Sequence, residues 1–370
     1  MRIGIDVRKY RDFGIGTYIQ NLLHALDSQT DHDVVMFVSP SDEQKIRQSH
    51  RGTVVLNSSA KYSLSELFTL STQANAHQVD LFHSPHYTLP YGLRSKRVVT
   101  INDIIHLRFP EYYSVVQRTY AYAMMRHACA AADAVLVCSE FTKSELVHRI
   151  PVSEKKVHVT HYGVSWKFGR KLSPAGKAGF WETRGIREPV VLYVGSLKPH
   201  KNIPVLFDAM VRVRKEIEAR IVLVGEKLDD HPHLMAYARE RGIDGCIVSV
   251  GRLREEELVA AYQSAGVVVL PSLYEGFGFP ILEANASRTP VIGANAGSIP
   301  EVMGEGGLLF DPSDPEGFAA AILDVLKDGS LRKSLIERGQ RNVERFSWEY
   351  CAKRTLAIYE SVVGGSVTGK

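Results

Sequence analysis

The feature that most constrains this chain is a twice-repeated alternation of short, Val- and Ile-rich runs with longer amphipathic stretches. The first series is "RIGIDV" (2–7), "DVVMFVS" (33–39), "RVVTI" (97–101), "AVLVCS" (134–139) and "KVHVTHYG" (156–163). Between the runs lie helical patterns such as "GTYIQNLLHAL" (16–26), with Ile19, Leu22, Leu23 and Leu26 on one face. Near-continuous apolar strands separated by helices predict parallel βαβ units, because parallel strands need a crossover to join them. A Gly-, Lys- and Arg-rich stretch over 163–189 then interrupts the pattern and reads as a linker. A second series follows: "VVLYVGS" (190–196), "ARIVLVG" (219–225), "CIVSVG" (246–251), "VVVLPS" (267–272) and "PVIGAN" (290–295).

These runs predict an α/β chain of two Rossmann-like doubly wound parallel sheets in tandem. The expected divisions are an N-terminal domain over 1–165 and a C-terminal domain over 166–345. A last segment over 346–370, with Trp348 and Tyr350 leading a helical pattern, is expected to cross back onto the first domain. A length of 370 residues suits two domains better than one. Ligands of such sheets bind beyond the carboxyl ends of the strands, so the expected site is a central cleft shared by the two domains.

Charge and cysteine usage remove several classes of function. The net charge is +4, and residues 1–165 hold 18 Lys and Arg against 15 Asp and Glu, so neither half is a polycation suited to nucleic acid. A mild preference for an acidic ligand or an anionic membrane surface is compatible with that balance. Cys129, Cys138, Cys246 and Cys351 are scattered without C-x-x-C spacing, which argues against a zinc knuckle or disulfide framework and for a reducing cytoplasm. The opening "MRIGIDVRKY" reads as a strand rather than a signal peptide, and no apolar run reaches the roughly 18–20 residues of a membrane span. The expectation is a cytoplasmic protein, at most peripheral at the inner face of the membrane.

Three strand-to-helix joints carry candidate chemistry. In "VGSLKPHKN" (194–202), Lys198, His200 and Lys201 precede a helix whose N-terminal amides favour an anion, although a solvated basic loop explains Lys198 equally well. In "DFGIGTYIQN" (12–21), Gly14 and Gly16 would let a ligand approach the backbone, but a G-x-G without its third glycine is also an ordinary turn. In "PSLYEGFGFPILEANA" (271–286), Glu275 and Glu283 flank a Gly-rich turn, with Pro280 at the expected first helical position and Glu283 in the first turn. A buried carboxylate needs donors, and vicinal sugar hydroxyls supply them. A first-turn glutamate at the helix dipole is the competing reading for Glu283; nothing structural asks for Glu275.

Metal chemistry finds little support. The one D-x-D, "DHD" at 31–33, reads as a polar turn, and no other His/Asp cluster has ligand spacing. No Ser/His/Asp arrangement suggests a seryl hydrolase. Eleven of the 14 histidines precede residue 165. "FHSPHYTLP" (82–90) and "TINDIIHLRFP" (100–110) trail strand-like segments, which places His83, His86, Tyr87, Asp103 and His106 where acceptor-binding groups would lie.

"PSLYEGFGFPILEA" followed by "TPVIGANAGSIPEV" and "GGLLFDPSDPEGFAAAI" resembles the retaining glycosyltransferases of family 4, which adopt the GT-B fold. "GIGTYIQNLL", "FHSPHYTLP", "VVTINDIIHLRFPE" and "LYVGSLKPHKNI" extend the resemblance over nearly the whole chain, in the style of bacterial mannosyltransferases of surface polysaccharides. The resemblance implies that Glu275 contacts the donor sugar's hydroxyls, beside the amides of Gly276, Phe277 and Gly278. It implies that Glu283 binds the nucleotide's ribose and that Lys201 meets the donor diphosphate, near Gly16 and the Gly195–Ser196 turn. Gly251 and Arg252 would border the nucleobase. Two departures stand out: Ser196 occupies a position where many relatives carry arginine, and Asn102, next to Asp103, replaces the family's cleft histidine. Asn102 can donate a hydrogen bond but cannot act as a base.

The implied reaction moves a hexose from a nucleotide sugar, GDP-mannose by resemblance, to a glycan or lipid-linked acceptor with retention on one face. It needs no metal and no cofactor, and the leaving phosphate takes the acceptor's proton. UDP- and dTDP-sugars are alternative donors, and a non-catalytic nucleotide-sugar-binding protein is the alternative of another class. Hinge motion is expected near 163–189.

Overall fold

The computed structural model describes residues 1–63, 65–173, 179–187 and 189–365. It divides into two units, one of residues 1–163 together with the segment from Ser347 on, the other Val164–Phe346.

The first unit is built on seven parallel strands: β1 (Arg2–Asp6), β2 (Asp33–Val38), β3 (Thr53–Leu56), β4 (Leu81–Ser84), β5 (Lys96–Ile101), β6 (Ala134–Val137) and β7 (Val157–Val159). Their order across the sheet is β3-β2-β1-β4-β5-β6-β7. Parallel register is fixed by pairs such as Ile5 with Met36 and Ile5 with His83. One core joins Phe37, Phe82, Val99 and Val135 from the strands to Leu70, Met125, Ala128 and Leu146 from the helices Glu66–Ala76, Val115–Ala131 and Glu140–Arg149. Ser114 and Ser139 start two of these helices by accepting from backbone amides three residues on, which satisfies donors the helix itself cannot. The helix Trp348–Val363 packs on Phe13–Gln29, with Tyr18 and Tyr162 stacked at 4.6 Å and Tyr162 and Trp348 at 5.6 Å.

The second unit repeats the plan with six parallel strands: β8 (Val190–Gly195), β9 (Arg220–Gly225), β10 (Ile247–Gly251), β11 (Val267–Leu270), β12 (Val291–Ala294) and β13 (Leu308–Phe310). Their order is β10-β9-β8-β11-β12-β13. Both sheets therefore start in the middle, grow to one side and then reverse, as the expected doubly wound architecture requires. The strands β3, β4 and β13 do not appear among the expected runs.

The reading of 163–189 as linker is corrected by the structure. Residues 174–178 and 188 lie outside the described residues, but the rest of the stretch packs into the second unit. Trp181 is fully buried, and its indole N–H donates to the Ser264 carbonyl at 3.1 Å. Phe168 meets the buried Tyr262 edge-on at 5.6 Å, and Gln263 donates to the Arg170 carbonyl at 2.5 Å. The glycines and cations of this stretch decorate a segment anchored by two aromatics, and composition averaged over the window hides the anchors. Truncating Trp181 to Ala is expected to cost about 3–5 kcal/mol of stability, the usual range for a buried aromatic. Chemical denaturation checks this: a loss under about 1 kcal/mol would return the segment to a linker.

Candidate active site

Where strand order reverses, between β8 and β11, the two following loops run to opposite faces of the sheet and leave a crevice at the carboxyl ends. The loop after β8 carries Lys201 on a 3-10 turn, Pro199–Lys201, and the loop after β11 carries Glu275. The Lys201 ammonium donates to both Glu275 oxygens, each at 2.7 Å, and the Ser272 hydroxyl donates to Oε1 at 2.7 Å. Both side chains are mostly buried, 17% and 12% exposed, so each charge depends on the other.

Several residues outside the expected set hold this pair in place. Asn202 sits in the left-handed region at φ 56, and its amide donates to the Pro271 carbonyl at 3.1 Å and the Pro312 carbonyl at 2.7 Å. The Leu273 amide donates to the His200 carbonyl at 2.8 Å, which ties the two loops together directly. The Ser298 hydroxyl donates to the carbonyls of Glu275 and Phe277, at 3.0 and 2.9 Å. Gly297 has φ 62, and a Cβ there would lie 2.8 Å from the Glu275 amide nitrogen, so the "AGS" segment supports the turn only as glycine and serine. The tell-tale in the sequence is a Gly-Ser pair after a buried strand, which spacing alone does not connect to residue 275.

Gly278, at φ 98, caps the helix Phe279–Ala286, so Pro280 is its second residue and Glu283 its fifth. Glu283 is therefore not the first-turn glutamate expected from sequence, and the dipole does not account for it. Its Oε2 accepts from the Tyr262 hydroxyl at 2.6 Å, and burial pushes its carboxyl up to about 7 against that bond. Gly276, Phe277 and Gly278 form the turn between the two glutamates, with Phe277 buried. Gly195 ends β8, and the Ser196 carbonyl next to it accepts from the Tyr193 hydroxyl at 2.6 Å. Gly251 ends β10 on the same edge of the sheet, followed by the exposed Arg252.

In the first unit, Gly16 lies in the first turns of the helix Phe13–Gln29, where a Cβ would come within 2.5 Å of the Tyr10 carbonyl oxygen. The helix thus presses on the loop after β1. His86 and Tyr87 follow β4 with ring centroids 3.8 Å apart, and His106 lies 6.4 Å from Tyr87 and 4.3 Å from Tyr113. Burial, with Lys9 and His106 nearby, holds His86 well below the usual imidazole range. The Asp103 carboxylate accepts from the Ile105 amide at 3.1 Å.

The acceptor-side candidate His83 and the catalytic candidate Asn102 have other employment. His83 is fully buried within β4, with Nε2 2.7 Å from the Thr100 hydroxyl and Nδ1 2.6 Å from the Tyr359 hydroxyl. Both nitrogens are engaged, and burial drives its pKa down to about 3, so it is a neutral fastener for the helix Trp348–Val363. Asn102 donates to the Pro85 carbonyl at 3.0 Å and accepts from the buried Tyr162 hydroxyl. Both ends of its amide are committed to tying the loops after β4 and β5. Among the described residues, no three His, Cys, Asp or Glu side chains converge as metal ligands would, and no helix is long and apolar enough to cross a membrane.

Comparison with known proteins gives the chain its family. The glycosyl transferases group 1 family matches residues 182–342 and Glycosyltransferase Family 4 matches residues 14–166. An O-antigen chain mannosyltransferase B of Escherichia coli is 31% identical over 283 residues, 76% of this chain and 74% of that one. The chain belongs to the group 1 glycosyltransferases. A second relative of this glycosyltransferase, an MMP alpha-(1->4)-mannosyltransferase of Mycolicibacterium hassiacum, is 31% identical over 67% of this chain and 59% of its own length. Among solved structures, a sucrose-phosphate synthase of Thermosynechococcus elongatus aligns with a TM-score of 0.81 at 21% identity over 99% of this chain and all of that one. The Anabaena HepE protein in complex with UDP-glucose aligns at 0.80 and 19% identity, over 98% of this chain and 100% of its own. These likenesses give the glycosyltransferase the GT-B class of fold.

The raised Glu283 carboxyl has a consequence for the ligand-free protein. The folded state holds this proton more tightly than the unfolded chain, whose value is near 4.5. Its contribution to stability is therefore present at low pH and declines as pH rises from about 4.5 through 7. In Glu283→Gln that part of the slope is expected to vanish from the melting temperature measured between pH 5 and 8. An unchanged profile would show that Glu283 is ionised throughout.

Proposed function

We propose that this glycosyltransferase moves a hexose from a nucleoside-diphosphate sugar to a saccharide-bearing acceptor, with retention of configuration and without a metal ion. The observation that carries the reading is the Lys201–Glu275 pair at the strand-order reversal. Two opposite charges mostly buried in a crevice, on two loops tied together beside them, suit a ligand that offers an anion to one and hydroxyls to the other. A donor diphosphate draws the Lys201 ammonium, and the released Glu275 carboxylate, still held by Ser272, accepts from the sugar's hydroxyls. The turn Gly276–Gly278 presents backbone amides at the start of the helix Phe279–Ala286, which adds to the stabilisation of the leaving diphosphate. Glu283 takes the ribose hydroxyls, and Gly251 and Arg252 border the base.

Mannose from GDP-mannose is the proposed donor group, because the two relatives named above are mannosyltransferases. The UDP-glucose complex of HepE makes the UDP-sugars the comparison set. With His83 neutral and engaged and Asn102 committed, the acceptor's proton passes to the departing phosphate oxygen on the same face of the sugar.

A thermal-shift series with GDP, UDP and dTDP sugars tests the donor, since a ligand at 100 times its Kd adds about 2.7 kcal/mol to the native state. GDP-mannose is expected to give the largest shift; a larger shift with UDP-glucose would reassign the nucleotide. Slow hydrolysis of that donor is expected to fall by about 10²-fold or more in both Glu275→Ala and Lys201→Met, the scale of losing one preorganised transition-state contact. Binding with no hydrolysis and no transfer to any saccharide would leave a nucleotide-sugar-binding protein. Ribose binding favours the ionised Glu283, so nucleotide binding at pH 6 is expected to release a proton, read by calorimetry in buffers of different ionisation enthalpy. Equal heats in all buffers would sink the ribose assignment.

A further inference from the structure

The first unit contains a second concentration of buried charge, outside the residues assigned so far. At the carboxyl end of β1, Arg8 lies under the surface between two carboxylates. Its Nη2 is 2.9 Å from Asp6 Oδ2 and 3.0 Å from Glu66 Oε2, its Nε is 2.9 Å from Asp6 Oδ1, and Nη1 donates to the Ser59 hydroxyl at 3.1 Å. Arg8 is thus satisfied, and it fixes Glu66 with one oxygen bound and the other unclaimed.

Next to it the bonding fails. Lys9 is 2% exposed, yet among the described residues its ammonium has no hydrogen-bond partner and rests only on the Tyr62 ring, 3.7 Å from the centroid. Glu66 Oε1, His86 Nδ1, Thr88 Oγ1 and the Tyr120 hydroxyl are buried and unpartnered as well. Lys9, Glu66, His86 and Tyr120 share a neighbourhood: the Tyr62 and His86 rings are 5.5 Å apart, Lys9 lies within electrostatic reach of Glu66 and His86, and Tyr120 within reach of Glu66. Most buried polar atoms in proteins are bonded, because one left without a partner has lost its hydration with nothing in exchange. Four in one place amount to a set of buried donors and acceptors that a polar ligand would satisfy.

We infer that Lys9, Glu66 and His86, under the Tyr62 ring, form the subsite for a neutral terminal sugar of the acceptor; this rests on the transferase reading above. The charges decide between a neutral and an anionic ligand. Asp6, Glu66, Arg8 and Lys9 sum to zero when ionised, so an anion drawn to Lys9 would face the unclaimed oxygen of Glu66 with no cation to spare. Lys61, next to Tyr62 in the chain, is already paired with Asp12 at 2.5 Å. A neutral sugar satisfies both groups: one hydroxyl accepts from the Lys9 ammonium while another donates to Glu66 Oε1. The remaining imidazole and hydroxyl groups extend the same pattern. The rings of Tyr62 and of the tilted His86–Tyr87 pair supply aromatic surface for the sugar's C–H groups. Tyr62 is the part that can yield, being 46% exposed on a loop where it holds φ 63, a backbone conformation a bulky side chain rarely adopts.

Saturation-transfer NMR on the full chain tests this, with methyl α-mannopyranoside as the neutral probe and mannose 6-phosphate and glucuronate as anionic ones. A nucleoside diphosphate is kept in excess to occupy the donor site. The neutral probe is expected to bind in its presence, to bind Glu275→Ala as well, and to weaken about tenfold or more in Lys9→Met and Glu66→Gln, the scale of losing a hydrogen bond to a charge. Circular dichroism and nucleotide binding show whether these variants fold. Should either fail to fold, Tyr62→Ala, at an exposed position, is expected to weaken the same probe severalfold. Preferential binding of an anionic probe would overturn the neutral-sugar assignment. Nucleotide binding with no sugar binding would overturn the subsite and leave the donor reading standing. Absence of nucleotide binding as well would bring down the reading beneath both.

Discussion

The reversal of strand order between β8 and β11 is the constraint on which the site depends. A parallel sheet that grows from its centre to one edge and then back must send two neighbouring loops to opposite faces, and the space between them cannot be filled by either helix. In this chain the space is occupied by one ion pair, Lys201 with Glu275. Burying either charge alone would be strongly unfavourable, whereas together, with Ser272 as a third partner, they are compatible with the crevice. The architecture supplies the opening, and Asn202, Ser298 and Gly297 hold the two loops at the separation the pair needs.

The first unit meets the same constraint at β1 and β4 and resolves it differently. There the buried cation is Arg8, whose planar fork binds both oxygens of Asp6 and one of Glu66, so the guanidinium itself is satisfied without a ligand. The incomplete partners lie one residue further along, at Lys9 and at the second oxygen of Glu66. The second unit is thus self-satisfied until a ligand exchanges its partners, while the first holds unclaimed donors and acceptors around a satisfied hub. On the proposed reading, the second unit's pair responds to a charged ligand and the first unit's unclaimed groups to a polar neutral one.

Much of this was legible in the amino-acid sequence because it rests on periodicity. Val- and Ile-rich runs at helix-separated intervals specify two parallel sheets, and a glutamate pair around a Gly-rich turn after a buried strand marks the loop of Glu275. What escaped depends on contacts between segments distant in the chain. Trp181 and Phe168 were submerged in a window dominated by Gly, Lys and Arg, and only their packing against Ser264 and Tyr262 shows them as anchors. Glu283 falls one position further along its helix, past the first turn, because Gly278 caps it and Phe279, not Pro280, is its first residue. His83 looked like a residue of the rim, since nothing local reveals that Thr100 and Tyr359 occupy both its nitrogens. Lys9 and Glu66 are 57 positions apart, and only the fold brings them together. The one local hint was an Arg-Lys pair directly after a buried strand, where charge is costly.

The serine at 196, where resembling sequences often carry arginine, takes on a physical meaning in this setting. The Ser196 carbonyl is held by the Tyr193 hydroxyl, and the cation in the crevice is Lys201, already bound to both oxygens of Glu275. On the proposed reading, one ammonium must serve the carboxylate before the donor arrives and the diphosphate afterwards. A free hexose has no charge with which to draw Lys201 away, so Glu275 remains masked to it. A nucleotide sugar removes the mask with one end and uses the uncovered carboxylate with the other. A second cation beside the diphosphate would loosen that link, because the phosphates could then be neutralised while Lys201 stayed on Glu275. With Ser196 in that place, recognition of the sugar is conditional on recognition of the diphosphate, and the crevice discriminates against the free sugars that surround it.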